Sequence, residues 1–214
     1  ELDSIDSLHV AFLTSIMKIT PKYFPALLLI LACFIRLVYF YQFQGNPFFS
    51  YLPSLWDQSL YHKGAQAFIE GDPFALAPDQ PNQQSPFYQY FLGIVYFFFG
   101  VKLTAAWIVQ LILGVISTFL VYVIAGRYMS QGYAFIAAVF FTFYGGNWFY
   151  ECTLYRASLV TLLILSTCLF LLLFAEKPSI GLLIGSALSL SFLTQSRSNL
   201  ILFVPIALIY LWRK

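Results

Sequence analysis

Three polar stretches interrupt an otherwise apolar chain, and they hold the side chains best suited to chemistry. WDQSLYHKGAQAFIEGDPF, at 56–74, carries Asp57, Tyr61, His62 and Lys63 within seven residues. YGGNWFYECTLYR, at 144–156, carries Glu151 and Arg156, and QSRSN, at 195–199, carries Arg197. Lys102 stands alone before a long apolar run. An ionised carboxylate only accepts hydrogen bonds, so Asp57 suits general-base work. An acid and a guanidinium at a cavity mouth, such as Glu151 and Arg156, suit a polar substrate and a phosphate.

Each stretch also has a plainer account. Asp57, Tyr61, Gly64, Ala65 and Phe68 recur at spacings of three and four, which predicts one face of a helix that Gly71-Asp72-Pro73 ends. Asp57 then lies in the first turn, where the helix dipole favours an acid without any chemistry. His62 and Lys63 read as solvated positions. Glu151 and Arg156 are equally a surface charge pair or two groups reaching for headgroups. Arg197 suits a phosphate ligand or a snorkel to lipid phosphate. Arg36 is different, because an arginine inside an apolar run costs several kcal/mol unless paired. An acidic partner or a water-filled cavity is expected beside it.

The elements that must position these groups follow from composition. Hydrophobic residues make up 60% of the 214 and charged residues 9%, against about 25% charge in a soluble domain. Continuous apolar runs cover Phe24–Phe43, Leu103–Ala125, Phe135–Phe149, Leu159–Phe174, Ile180–Leu193 and Leu200–Trp212. They lack the two-residue alternation of a barrel, so the fold class is all-α, a polytopic helical membrane protein with about six spans. The scattered Lys and Arg, with a net charge of +2, exclude a nucleic-acid surface. Cys33, Cys152 and Cys168 lack metal-like spacing and read as packing residues. Residues 1–22 read as an amphipathic segment on the membrane surface, since mixed acids and apolar positions do not make a signal peptide. A start on Glu1 and an end just after an apolar run are expected of a piece of a longer protein.

Charge sets the sidedness. Pro86–Gly100, PFYQYFLGIVYFFFG, would cover roughly 22 Å as a helix, short of a hydrocarbon core of about 30 Å. If it does not span, Lys18, Lys22, Arg127, Lys177, Arg213 and Lys214 fall inside, and Lys63, Lys102, Arg156 and Arg197 outside. That six-to-four division follows the positive-inside rule better than the five-to-five of the alternative. The amino terminus is then cytoplasmic, and 44–102 forms a long outer loop with juxtamembrane helices. Asp57, Glu151, Arg156 and Arg197 share the outer side.

In order and content these stretches resemble the amino-terminal transmembrane module of the GT-C membrane glycosyltransferases, the superfamily of the dolichyl-phosphate-mannose protein mannosyltransferases and the lipid A aminoarabinose transferase. WDQSLYHKGAQAFIEGDPF resembles the family's first outer loop. SPFYQYFLGIVYFFFG resembles its aromatic juxtamembrane helix, and WIVQLILGVISTFLVYVIAGRYM the next span. YGGNWFYECTLYRASLVTLL is similar to the segment with a second outer acid, and FLTQSRSNLILFVP to an Arg-x-Asn pattern. Gln58 departs from the pattern, standing where relatives often carry an acid directly after the first.

The resemblance implies a GT-C-like transmembrane module over 23–214, in a multi-pass protein of the bacterial inner membrane. Asp57 would deprotonate the acceptor hydroxyl or amine, and Glu151 would orient the acceptor or a bound divalent cation near Asp57. Tyr61, Lys102, Arg156 and Arg197 would contact substrate, the cations holding the phosphate of a polyprenyl-phosphate sugar donor. No other cofactor is implied, and no metal ligand is assigned. Membrane lipids and further protein subunits are the remaining partners. Two other readings stay open: a non-catalytic GT-C-like subunit of a membrane complex, and a flippase or transporter for a lipid-linked sugar. Few ionisable groups in the spans count against transport.

Overall fold

The computed structural model of the chain describes residues 21–49, 57–72 and 86–212. The expected amphipathic segment falls outside the described residues except for Pro21 and Lys22, as do Arg213 and Lys214. Among the described residues the secondary structure is helical throughout, with no strand. The helices are α1 (Phe24–Phe43), α2 (Asp57–Ile69), α3 (Phe87–Phe99), α4 (Leu103–Ala125), α5 (Gln131–Phe143), α6 (Gly145–Glu151), α7 (Ala157–Glu176), α8 (Ile180–Ser196) and α9 (Phe203–Trp212).

Three of them, α1, α4 and α7, are long and apolar enough to cross a membrane. Helices α3, α5 and α8 and the stretch Ser198–Leu211 are apolar but shorter. Local chemistry explains several boundaries. Pro25 lies at the start of α1, where its missing N–H costs nothing. The Ser179 hydroxyl accepts from the Leu182 N–H at 3.3 Å and caps α8. Helix α2 stops at Gly71, whose φ of 102° is open to glycine at little cost.

One expected element is divided. The apolar run read as continuous to Phe149 breaks at Tyr144, whose backbone is extended. Side chains just beyond the break explain it. The Asn147 amide donates to the Phe141 carbonyl at 3.0 Å and the Trp148 indole to the Thr142 carbonyl at 2.7 Å. These satisfy carbonyls that the end of α5 leaves without helical partners.

Helix α4 is the centre of the bundle, with α1, α3, α5, α6 and α7 packed around it, while α7 and α8 form a hairpin. At one end Phe24 and Leu28 of α1 pack on Tyr122, Ala134, Phe135 and Ala138. At the other end Phe43 meets Trp107 edge-on at 5.2 Å, and Tyr61, Tyr88, Leu92 and Leu154 complete a second core. Helices α1 and α4 are therefore antiparallel. Lys22, Arg127 and Lys177 lie at the first end, where Arg127 pairs with Glu176. The three polar stretches meet at the second. The outer faces of the long helices are apolar: Ile30, Phe34 and Leu37 are each more than 60% exposed. Such a surface suits lipid rather than water.

Candidate functional site

The second core sets the site by tying three separate segments to α4. Gln110, fully buried in the middle of an apolar helix, is the knot. Its amide donates to the Glu151 and Thr153 carbonyls, both at 2.9 Å, and its oxygen accepts from the Tyr88 hydroxyl at 2.6 Å. Gln58 does the same for α2, accepting from the Leu154 N–H at 3.1 Å. The Gln58 side chain is thus buried and structural.

These ties frame a cavity of about 530 Å³. Asp57, Tyr61, Tyr155, Arg156 and Arg197 line it, with Phe149, Tyr150 and Val160. One carboxylate and two guanidiniums therefore face a common space, drawn from the first turn of α2, the start of α7 and the end of α8. Tyr61 is buried and stacked edge-on against Tyr88 at 4.8 Å. Burial raises its phenol above the ordinary value, Arg156 draws it down, and Asp57 and Tyr155 raise it further. Tyr61 stays protonated at neutral pH.

Glu151 does not line this cavity. Its carboxylate meets Arg36 through two bonds, Nε to Oε2 at 2.8 Å and the second guanidinium nitrogen to Oε1 at 2.9 Å. This is the acidic partner that Arg36 requires. Burial pushes the Glu151 carboxyl up to about 7, against the Arg36 hydrogen bond and charge that pull it down. Gly114 makes the space: a Cβ there would lie 1.9 Å from Glu151 Oε1 and 2.7 Å from Arg36 Nε. Glu151 instead faces a smaller chamber of about 110 Å³, which shares Tyr150 and Ala157 with the larger cavity.

Of the candidate residues, Asp57, Tyr61, Arg156 and Arg197 come together, Glu151 lies next door, and Lys102 is exposed outside both cavities. His62 departs from the expected solvated position: it is half-buried, its Nδ1 2.8 Å from the Tyr96 hydroxyl. Burial lowers its imidazole below 6.5. Gln110, Gly114 and Tyr88 were not singled out by the sequence. A polar residue inside an apolar run was the available signal for Gln110, by the same argument that marks Arg36.

Apolar helices of spanning length with a polar cavity at one end define a helical membrane protein. Residues 79–214, more than half of the chain, match the family described as dolichyl-phosphate-mannose-protein mannosyltransferase, and the chain belongs to that family of membrane glycosyltransferases. This agrees with the resemblance read from the sequence. Lys102, Glu151, Arg156 and Arg197 fall inside the matched region, while Asp57 and Tyr61 precede it. No curated protein and no solved structure matches the chain.

Proposed function

We propose that the chain transfers a sugar from a polyprenyl-phosphate donor to an acceptor hydroxyl or amine on the outer, periplasmic or lumenal, side of the membrane. The observation that carries this reading is one carboxylate and two guanidiniums around a single cavity at one end of the bundle. In such a transfer the acceptor oxygen or nitrogen attacks the anomeric carbon and gives up its proton. Asp57 takes that proton. The bond from the anomeric carbon to the phosphate oxygen breaks, and the lipid phosphate leaves with an added negative charge. Arg156 and Arg197 meet that charge as it forms, the kind of electrostatic stabilisation that lowers a barrier most. Tyr61 donates from the cavity wall.

Glu151 supports the site from behind. Arg36 takes one lone pair on each of its oxygens, leaving the others to orient substrate in the chamber. Lys102, outside the cavity, serves a lipid headgroup better than the donor phosphate. A divalent cation beside Asp57 does not suit these donors. Glu151 faces the neighbouring chamber instead, the Gln58 oxygen accepts from Leu154, and two arginines share the cavity. Among the described residues no three of His, Cys, Asp and Glu converge.

The membrane placement follows from charge. With Lys22, Arg127 and Lys177 on the cytoplasmic side, α1, α4, α5, α7, α8 and α9 make six crossings of a module over 23–214. Helices α2 and α3 lie in the outer loop 44–102, and the amino terminus is cytoplasmic, in a bacterial inner membrane. The test is Asp57→Asn, assayed with polyprenyl-phosphate mannose on the reconstituted protein. Transfer is expected to vanish while insertion stays normal. Unchanged transfer removes Asp57 from the mechanism, and a parent chain without transfer favours a non-catalytic subunit.

A further inference from the structure

We propose that the chamber beside the large cavity, bounded by Gly114, Ser117, Tyr144, Glu151, Ser158 and Thr161, receives the ring of the transferred sugar, and that Ser117 and Ser158 read its hydroxyls. The inference rests on the sugar-transfer reading above and names the side chains that choose the sugar.

Two hydroxyls carry it. Ser117 of α4 is 1% exposed and Ser158 of α7 is 7% exposed, and neither has a hydrogen-bond partner among the described residues. A buried hydroxyl without a partner is costly, and other buried hydroxyls nearby avoid that cost. Thr118 donates to the Gly114 carbonyl at 3.0 Å, and Thr142 to the Ala138 carbonyl at 2.8 Å. The two exceptions come from different helices and line the same chamber.

The rest of the lining has the same character. The Glu151 carboxylate keeps acceptor positions beyond the two that Arg36 uses, enough for neighbouring sugar hydroxyls. Phe141 and Tyr144 supply aromatic surface for the ring's C–H faces. Gly114 leaves the floor open. At about 110 Å³ the chamber exceeds the space a single water needs several-fold. Its position fits the layout of the donor: the ring is bonded directly to the phosphate, and the chamber shares Tyr150 and Ala157 with the cavity that holds Arg156 and Arg197.

The experiment uses Ser117→Ala and Ser158→Ala in the full chain, with polyprenyl-phosphate mannose and its monodeoxy analogues at each ring hydroxyl as donors. Removing an unpartnered hydroxyl leaves the melting temperature of the donor-free protein unchanged or higher. The same variants lose about tenfold in kcat/KM toward the mannosyl donor, the worth of one neutral hydrogen bond. Against the one deoxy donor that lacks the hydroxyl in question, each variant loses nothing further. An equal loss across every deoxy donor, or a fall in melting temperature alongside activity, marks the serines as structural and overturns the subsite. If Asp57→Asn abolishes transfer while both serine variants match the parent, the subsite falls and the transfer reading stands. If the parent transfers from no donor of the series, both fall.

Discussion

Arg36 and Glu151 form a two-bond ion pair between the first long helix and the short α6, with both side chains at most 3% exposed. Breaking a buried pair by removing one partner leaves the other charge uncompensated, at a cost of about 3–5 kcal/mol. Arg36→Ala and Glu151→Ala are therefore each expected to unfold at much lower temperature. The double change Arg36→Met with Glu151→Leu should recover most of the loss, because it leaves no lone charge behind. A double variant as unstable as the singles would contradict this account.

Gly114 and Gly181 make a matched pair. A Cβ at Gly114 collides with the ion pair, whereas nothing lies within 4 Å of one built at Gly181. Gly114→Ala should lower stability by about 1–3 kcal/mol as the pair is displaced. Gly181→Ala, near the start of α8, should be neutral or gain up to about 1 kcal/mol from helix propensity. Thermal melts of the two variants in the same detergent compare them directly.

Gln110 serves three partners at once, so no apolar residue replaces it. Gln110→Leu strands the Tyr88 hydroxyl and frees the carbonyls of Glu151 and Thr153. A loss of about 2–4 kcal/mol is expected from the unpaired groups, together with faster hydrogen exchange across 151–155. Unchanged exchange there would show that Gln110 does not hold the turn.

Arg156 and Arg197 should separate binding from folding. Both lie on the cavity rather than in the core, so Arg156→Gln and Arg197→Gln are expected to leave the melting temperature within about a degree or two, as surface substitutions do. Transfer from polyprenyl-phosphate mannose should fall about tenfold to a hundredfold for each, in line with loss of a charge-assisted contact to phosphate. Full activity in both variants would place the phosphate elsewhere.

His62 gives a pH signature. Its folded pKa lies below its free value of 6.5 because burial disfavours the imidazolium. The unfolded chain then binds the proton first. The stability owed to neutral His62 is complete above pH 6.5 and falls as pH drops toward the lower folded pKa. The parent should lose more stability than His62→Gln between pH 7.5 and 5.5. Parallel curves would mean that His62 titrates alike in both states.

Much of the frame was legible because apolar runs and helix stops are local signals. Phe24–Phe43 and Leu103–Ala125 begin and end where the hydropathy of the sequence changes, and Gly71 ends α2 as its lack of a side chain allows. The demand of Arg36 for a partner was equally legible, but the partner was not. Nothing local in YGGNWFYECTLYR reveals that Glu151 turns inward to α1 while Arg156 turns toward the cavity. That choice depends on Gly114, which leaves the gap, and on Gln110, which pulls the 151–153 backbone inward. Both act across α4. The break at Tyr144 was hidden for a related reason, because its cause is hydrogen bonding by Asn147 and Trp148 beyond the apolar run.

The ion pair also sets an order of events during synthesis. Arg36 precedes Glu151 by 115 residues. At about 5–20 residues per second, the ribosome takes roughly 6–23 s to make the second partner after the first. Through that interval the first helix holds an arginine at membrane depth before its carboxylate exists. Its own Ala32 carbonyl, 3.4 Å from the guanidinium in the finished fold, is within reach from the start; Glu151 is not. The first helix can complete its seating only after the sixth has been made, so the early part of the bundle must wait for the late part to lock it.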